Sequence, residues 1–203
     1  MEDFERFRKE VAEIIRQNEN VCREGYRALL MSKDYDSLCA VIRKYFAELN
    51  RSLWKEFQSA LQKYYKVVGR ELEARNIFYN VPCDNGLCMV DRYCEYECLV
   101  LRGMAKVICH DNSSVMLMDQ AQATLLDHSR AVARDSSSVN ARMHSYVEAK
   151  DYSTVRADDN AKVVSDGSTN LYMYGSSQLR NLRSRKLDVG VSARIVEPYE
   201  DWN

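Results

Sequence analysis

Residues 103–182 divide without a gap into ten blocks of eight: GMAKVICH, DNSSVMLM, DQAQATLL, DHSRAVAR, DSSSVNAR, MHSYVEAK, DYSTVRAD, DNAKVVSD, GSTNLYMY and GSSQLRNL. Position one holds Asp111, Asp119, Asp127, Asp135, Asp151 and Asp159, with Gly103, Gly167 and Gly175 and a single Met143 in the remaining blocks. Position three is always Ala, Ser or Thr, position five is always Val, Ala or Leu, and position seven is mostly Ala or another modest apolar residue. Small or apolar residues at three, five and seven, with mostly polar residues between them, give the period-two alternation of a strand with one buried face. Each block is therefore one strand and one turn.

About five residues of each block form the strand and about three remain for the turn, too few for a crossover helix. A short fixed period without Gly-rich hairpin signals predicts stacked coils, a parallel β-solenoid. Asp at position one is expected to bond its own backbone and hold a tight corner, and Gly there tolerates positive φ. The interior residues are mainly Ala, Ser and Val, too small for a wide triangular bore. Two strands per coil and sixteen residues per turn are preferred to three strands per coil. Coils about 4.8 Å apart would stack eleven strands to roughly 25 Å, and parallel crossovers favour right-handed winding.

The frame extends in both directions. Glu95 to Arg102 places Leu99 and Leu101 at positions five and seven, and Ile77-Phe78-Tyr79-Asn80-Val81 reads as an entry strand. Downstream, Leu187, Val189, Val191, Ala193 and Ile195 keep the alternation until Pro198, with Tyr199 and Trp202 placed to cover the last rung.

The D-x-S-x-V-x-A-x pattern resembles short-repeat parallel β-helix proteins, among them bactofilin-like and pentapeptide-type solenoids, whose periods differ from eight. It is similar as well to bacterial and phage-encoded proteins that join such repeats to a helical N-terminal region. The resemblance covers about half the chain and implies a fold, with no activity attached to it.

Ahead of the repeat, Phe7, Val11, Ile14 and Ile15 lie on one helical stripe, predicting an amphipathic helix that ends near Asn18 to Asn20. A short helix follows over Cys22 to Met31, and Ser32-Lys33-Asp34 offers a cap for the next. From Leu38 to Leu72 the helical spacing of Val41, Ile42, Tyr45, Phe46, Leu49, Leu53, Phe57, Leu61, Tyr64 and Val68 predicts one long helix or two broken near Asn50-Arg51-Ser52. These helices are expected to pack on one another and to lie across the open end of the solenoid. The stripe is not a sustained heptad, so a coiled-coil oligomer is the lesser reading. The sequence thus predicts an α+β chain: a helical region over 1–76, a parallel β-helix over 77–196 and a C-terminal tail over 197–203.

Apolar residues make up 46% of the 203 residues and charged residues 29%, with a formal net charge of -1, which indicates neither disorder nor a strong field for nucleic acid. The opening MEDFERFRKEVAEII is charged throughout, and no run of about 18 apolar residues occurs, so a cytoplasmic protein without membrane contact is expected. Seven cysteines, an odd number, favour reduced thiols over a disulfide framework.

Cys83, Cys88, Cys94, Cys98 and Cys109 cluster, but the gaps of four, five, three and ten residues are not the close pairs that zinc sites use. They are expected to serve as small apolar filling for the first rungs, and a metal or redox role for Cys83, Cys88, Cys94 and Cys98 stays open. Stacked Asp at position one lacks the glycines of calcium-binding repeats. His110, His128 and His144 fall at outward positions eight, two and two; His128 and His144, sixteen apart, are expected to sit one above the other. No catalytic, cofactor-binding or metal residues are assigned, because a general base needs a partner and a pocket that cannot be located.

Between residues 95 and 182 nine Lys and Arg stand against eleven Asp and Glu, a mix that argues against DNA mimicry and against a phosphate-tracking groove. The reading that results is a non-enzymatic scaffold, a rigid rod acting through protein contacts of a flat face or of the helices, its partner unidentified. A self-assembling filament or phage-fibre element, with homo-oligomers formed through helices or solenoid ends, is the alternative, and an enzyme of unknown class the second.

Overall fold

The computed structural model describes residues 2–16, 23–52, 54–91 and 94–196. The chain divides into two compact units, Met1–Tyr79 and Asn80–Asn203.

Among its described residues the first unit carries four helices, α1 (Glu2–Arg16), α2 (Arg23–Leu30), α3 (Tyr35–Ser52) and α4 (Trp54–Glu73), and a short strand β1 (Ile77–Tyr79). The long helical stretch is described on both sides of residue 53, which lies outside the described residues, as does the choice between one helix and two. The Asp34 cap forms: its Oδ1 accepts the Ser37 N–H at 2.8 Å and the Ser37 hydroxyl at 2.6 Å. Those two donors favour the carboxylate and lower the Asp34 pKa. Phe4, Phe7, Val11 and Ile14 of α1, Leu38 and Ile42 of α3, and Phe57, Leu61, Val68 and Leu72 of α4 are buried. α1 packs on α2 and α4, and α3 on its neighbours on both sides, so the apolar stripes meet one another within the unit. The Tyr65 hydroxyl ties α4 to β1, accepting the Tyr79 N–H at 3.1 Å while donating to Glu73 at 2.8 Å.

The second unit is a two-sheet parallel solenoid of about seven coils. Strands alternate between the sheets in chain order. Within this unit the first sheet holds β2 (Leu87–Val90), β4 (Lys106–Cys109), β6 (Gln122–Leu125), β8 (Ser138–Ala141), β10 (Thr154–Ala157), β12 (Asn170–Met173) and β14 (Lys186–Val189). The second holds β3 (Leu99–Leu101), β5 (Ser114–Leu117), β7 (Arg130–Ala133), β9 (Tyr146–Asp151), β11 (Lys162–Gly167), β13 (Gln178–Arg183) and β15 (Arg194–Val196). Val139 pairs with Val155 and Val155 with Leu171, each sixteen residues apart, so a coil is two octads and not three.

Parity sets the interior. Position-five residues such as Val115, Val147, Val155 and Val163 and position-seven residues such as Ala133, Ala141, Ala149 and Ala157 are fully buried. Each buried valine contributes about 1.5–3 kcal/mol relative to exposure, and the slim Val and Ala side chains let the sheets approach closely. Position-three residues Ser129, Ser137, Ser145, Ser153 and Ser177 are also buried, small enough for the corner to close over them.

The ends depart from expectation. β2 falls outside the octad frame: Leu87 pairs with Lys106, an offset of nineteen, because three extra residues lie between Asp91 and Leu99. In the last coil Leu187 and Ile195 keep the interior parity but are 37% and 52% exposed, since no further coil among the described residues covers them. Val191 falls at position one of its octad, in the turn between β14 and β15, and is fully exposed. Tyr199, Trp202 and the tail 197–203 lie outside the described residues.

Candidate functional site

The corners follow one rule. Nine of the ten position-one residues have φ between 52° and 59°, Gly167 being the exception. This left-handed region costs ordinary L-residues about 1–2 kcal/mol and is tolerated best by Gly, Asn and Asp. In every turn but that of Gly167 the position-three N–H donates to the position-eight carbonyl, as in Ser137 N to Arg134 O at 3.1 Å, and in most turns the position-two N–H reaches position one of the previous coil, as in Ser136 N to Asp119 O at 2.9 Å. These bonds leave the position-one N–H to be satisfied.

An Asp sixteen residues later satisfies it. The N–H of Gly103 donates to Asp119 Oδ2 at 3.0 Å, that of Asp119 to Asp135 at 3.0 Å, and that of Asp135 to Asp151 at 3.3 Å. On the other corner the N–H of Asp111 donates to Asp127 at 3.2 Å and that of Met143 to Asp159 at 3.1 Å. The expected bond from Asp to its own turn is thereby corrected: positive φ aims the side chain along the stack, so the carboxylate staples one coil to the one before. Met143 interrupts the row, its sulfur lying 3.3 Å from the Asp127 N. At Gly175 the Asp159 N–H is taken instead by Asp158 Oδ1 at 2.9 Å, and a Cβ on Gly175 would lie 2.7 Å from that oxygen and 2.8 Å from the Asp159 N, so Gly is the residue that leaves this bond undisturbed.

His110 does not face solvent. It is 6% exposed, with Nδ1 3.2 Å from Asp127 Oδ2, the same oxygen that accepts the Asp111 N–H, so the corner staple brings a carboxylate against the ring. Burial pushes its pKa down to about 4, against the opposing pull of Asp127, so at neutral pH this is a neutral imidazole beside a carboxylate and not an ion pair. His128 and His144 are exposed and stacked as expected, their ring centroids 5.3 Å apart and 12° from parallel.

Of the clustered cysteines, Cys83, Cys88 and Cys109 are buried and Cys94 and Cys98 half-buried, all as free thiols. Cys88 lies opposite Val107 and Cys83 forms a bridge with Leu101, so both extend interior columns. Burial raises the pKa of Cys88, Cys94 and Cys109, whereas Cys83 is lowered by a hydrogen bond from Cys88. Among the described residues no three His, Cys, Asp or Glu side chains converge to hold a metal ion.

The outward faces differ from each other in a way the overall count conceals. On the second sheet, position four carries Arg130, Lys162 and Arg194, separated by Tyr146 and Gln178, and position eight carries Arg102, Arg134 and Lys150. Between them the position-six column reads Val100, Met116, Val132, Glu148, Val164 and Arg180. The acids of this face are Glu148, 3.5 Å from Lys150, and Asp166. Most other acids of the repeat are bound at the corners. Sorting the sequence on sixteen residues instead of eight is the signal that separates the faces. The first sheet shows an aromatic and cationic patch, with Arg156 5.0 Å from the Tyr174 ring centroid and Lys186 4.9 Å from that of Tyr172.

Fold and surface together define a β-solenoid preceded in the chain by a four-helix unit. No family model matches this chain, and neither a curated protein nor a solved structure does. No helix among the described residues is long and apolar enough to cross a membrane.

Proposed function

We propose that this chain is a non-enzymatic scaffold whose solenoid faces hold partner proteins. One observation carries the reading: the i to i+16 register repeats from β3 to β15, apart from a shift at Ser165/Asp166, while the outward residues change at almost every step. A constant backbone with a varied surface suits recognition by side chains laid out on a rigid plane. Its odd cysteine number, which favours reduced thiols, supports a cytoplasmic setting.

A photocrosslinking residue placed in cells at Val132 on the second sheet, at Arg156 on the first, and at Ser136 on a corner tests this. A discrete adduct with another protein from either face, and none from the corner, is the expected result. No adduct from either face would overturn the scaffold.

The exposure of Leu187 and Ile195, which keep interior parity in the last described coil, favours a second reading, self-assembly through the solenoid end. Light scattering during gel filtration separates the two: a sharp monomer or dimer peak excludes filaments, and a concentration-dependent ladder that Leu187→Lys abolishes supports them.

A further inference from the structure

We propose that the outward face of the second sheet is the docking surface of the scaffold and that its occupant is an acidic amphipathic helix. This rests on the scaffold reading and adds to it a face and the chemistry of the partner.

Two basic columns run along the stack, Arg130, Lys162 and Arg194 at position four and Arg102, Arg134 and Lys150 at position eight. Four residues separate them, about 13 Å at the rise of an extended strand. Between them lie Val100, Met116, Val132 and Val164, all half-buried. A helix with its side chains is about 10–12 Å across. Laid along the stack, it would rest its apolar stripe on the central column and carry its carboxylates to both basic columns. From Val100 to Arg180 the column crosses five coil spacings, about 24 Å, which is about 16 residues of helix at 1.5 Å each. Glu148, the acid in the central column, is offset by Lys150 at 3.5 Å.

Charge complementarity selects an acidic partner, and the apolar centre selects a polypeptide over a nucleic acid. Bases stack on aromatic faces, and the one aromatic residue in these columns, Tyr146, is half-buried between Arg130 and Lys162 in its own column. The second sheet also carries Asp166 in its position-eight column, beside Lys150, but the first sheet lacks the pattern altogether: its outward cations Lys106, Lys186, Arg156 and Arg142 are scattered over all three columns, with Asp158 and Asp188 among them.

The test uses the full chain and a fluorescein-labelled 16-residue peptide with Leu at helical spacing and Glu elsewhere, followed by anisotropy. Saturable binding that weakens with added salt is expected. R130E/R134E/K162E should weaken it at least about tenfold, and R142E/R156E on the first sheet less than about threefold. If the triple variant melts early, Val132→Glu, a single change at an outward position, should give a comparable loss. Equal losses from the two faces, no binding by the wild-type chain, or tighter binding of a labelled oligothymidine would each overturn the proposal. A face-specific crosslink at Arg156 with no peptide binding would sink this inference alone and leave the scaffold standing.

Discussion

The backbone N–H of Asp119 donates to the side chain of Asp135 one full coil later, at 3.0 Å. A residue that looks like ordinary turn chemistry in the sequence is thus a clasp between coils. Three substitutions at Asp135 separate its two duties. Asp135→Asn keeps both the tolerance of positive φ and an acceptor and should cost least. Asp135→Gly keeps only the backbone freedom, and Asp135→Ala loses both, for about 1–2 kcal/mol. Urea unfolding gives the order, and equal stability of Ala and Asn would contradict the clasp.

Met143 occupies the one corner between Asp127 and Asp159 where the row lacks a carboxylate, and the Asp127 N meets sulfur at 3.3 Å. Met143→Asp should therefore stabilise the chain by about 0.5–1 kcal/mol. The opposite corner already tolerates three successive acids, Asp119, Asp135 and Asp151. A lower melting temperature for the variant would show that like-charge repulsion outweighs the added bond.

Val155 is fully buried between Val139 and Leu171. Val155→Asp places an unpaired carboxylate in a dry interior and should remove at least about 3 kcal/mol. Gln122→Lys, on an exposed outward position of the same sheet, should change stability by less than about 0.5 kcal/mol. Comparable melting shifts for the two would reverse the assignment of faces.

His110 gives the fold an acid-sensitive component. Its pKa falls from the ordinary 6.5 to about 4 on folding, so below 6.5 the unfolded chain takes a proton that the folded chain refuses. Its contribution is therefore complete above pH 6.5 and is lost as the pH falls toward 4. His110→Asn should flatten the dependence of stability on pH between 6.5 and 4.5. An unchanged slope, measured by urea titrations at several pH values, would remove His110 as the cause.

Thiol chemistry should follow burial. Cys39, pushed up to about 11, and Cys88 and Cys109, also raised by burial, should resist iodoacetamide at pH 8 in the native protein, while the half-buried Cys98 alkylates first among the described cysteines. Mass spectrometry of partially labelled protein reads the order. Early labelling of Cys88 would mean that the first coil opens readily.

The interior was legible because parity at Val115 through Leu179 is a local property of eight residues. The stacking of His128 on His144 and the two-strand coil followed from the same period and from the small volume of the interior side chains. What escaped depends on distance. β2 was missed because three inserted residues shift its frame, although Cys83, Cys88 and Cys109 were legible as apolar filling of the first rungs. The burial of His110 contradicts its outward parity, and the partner of each corner Asp lies sixteen residues away, beyond what turn propensities convey. The basic columns were hidden by counting charge per stretch of chain when the coil deals successive octads to opposite faces.

That alternation carries a consequence for how such a chain tolerates changes in length. Removing or duplicating sixteen residues would shorten or lengthen the stack by one storey and leave everything beyond it in place. A change of eight would keep every interior contact type but transpose the two façades from that point onward, so that an unbroken fold would display its cations on the wrong side.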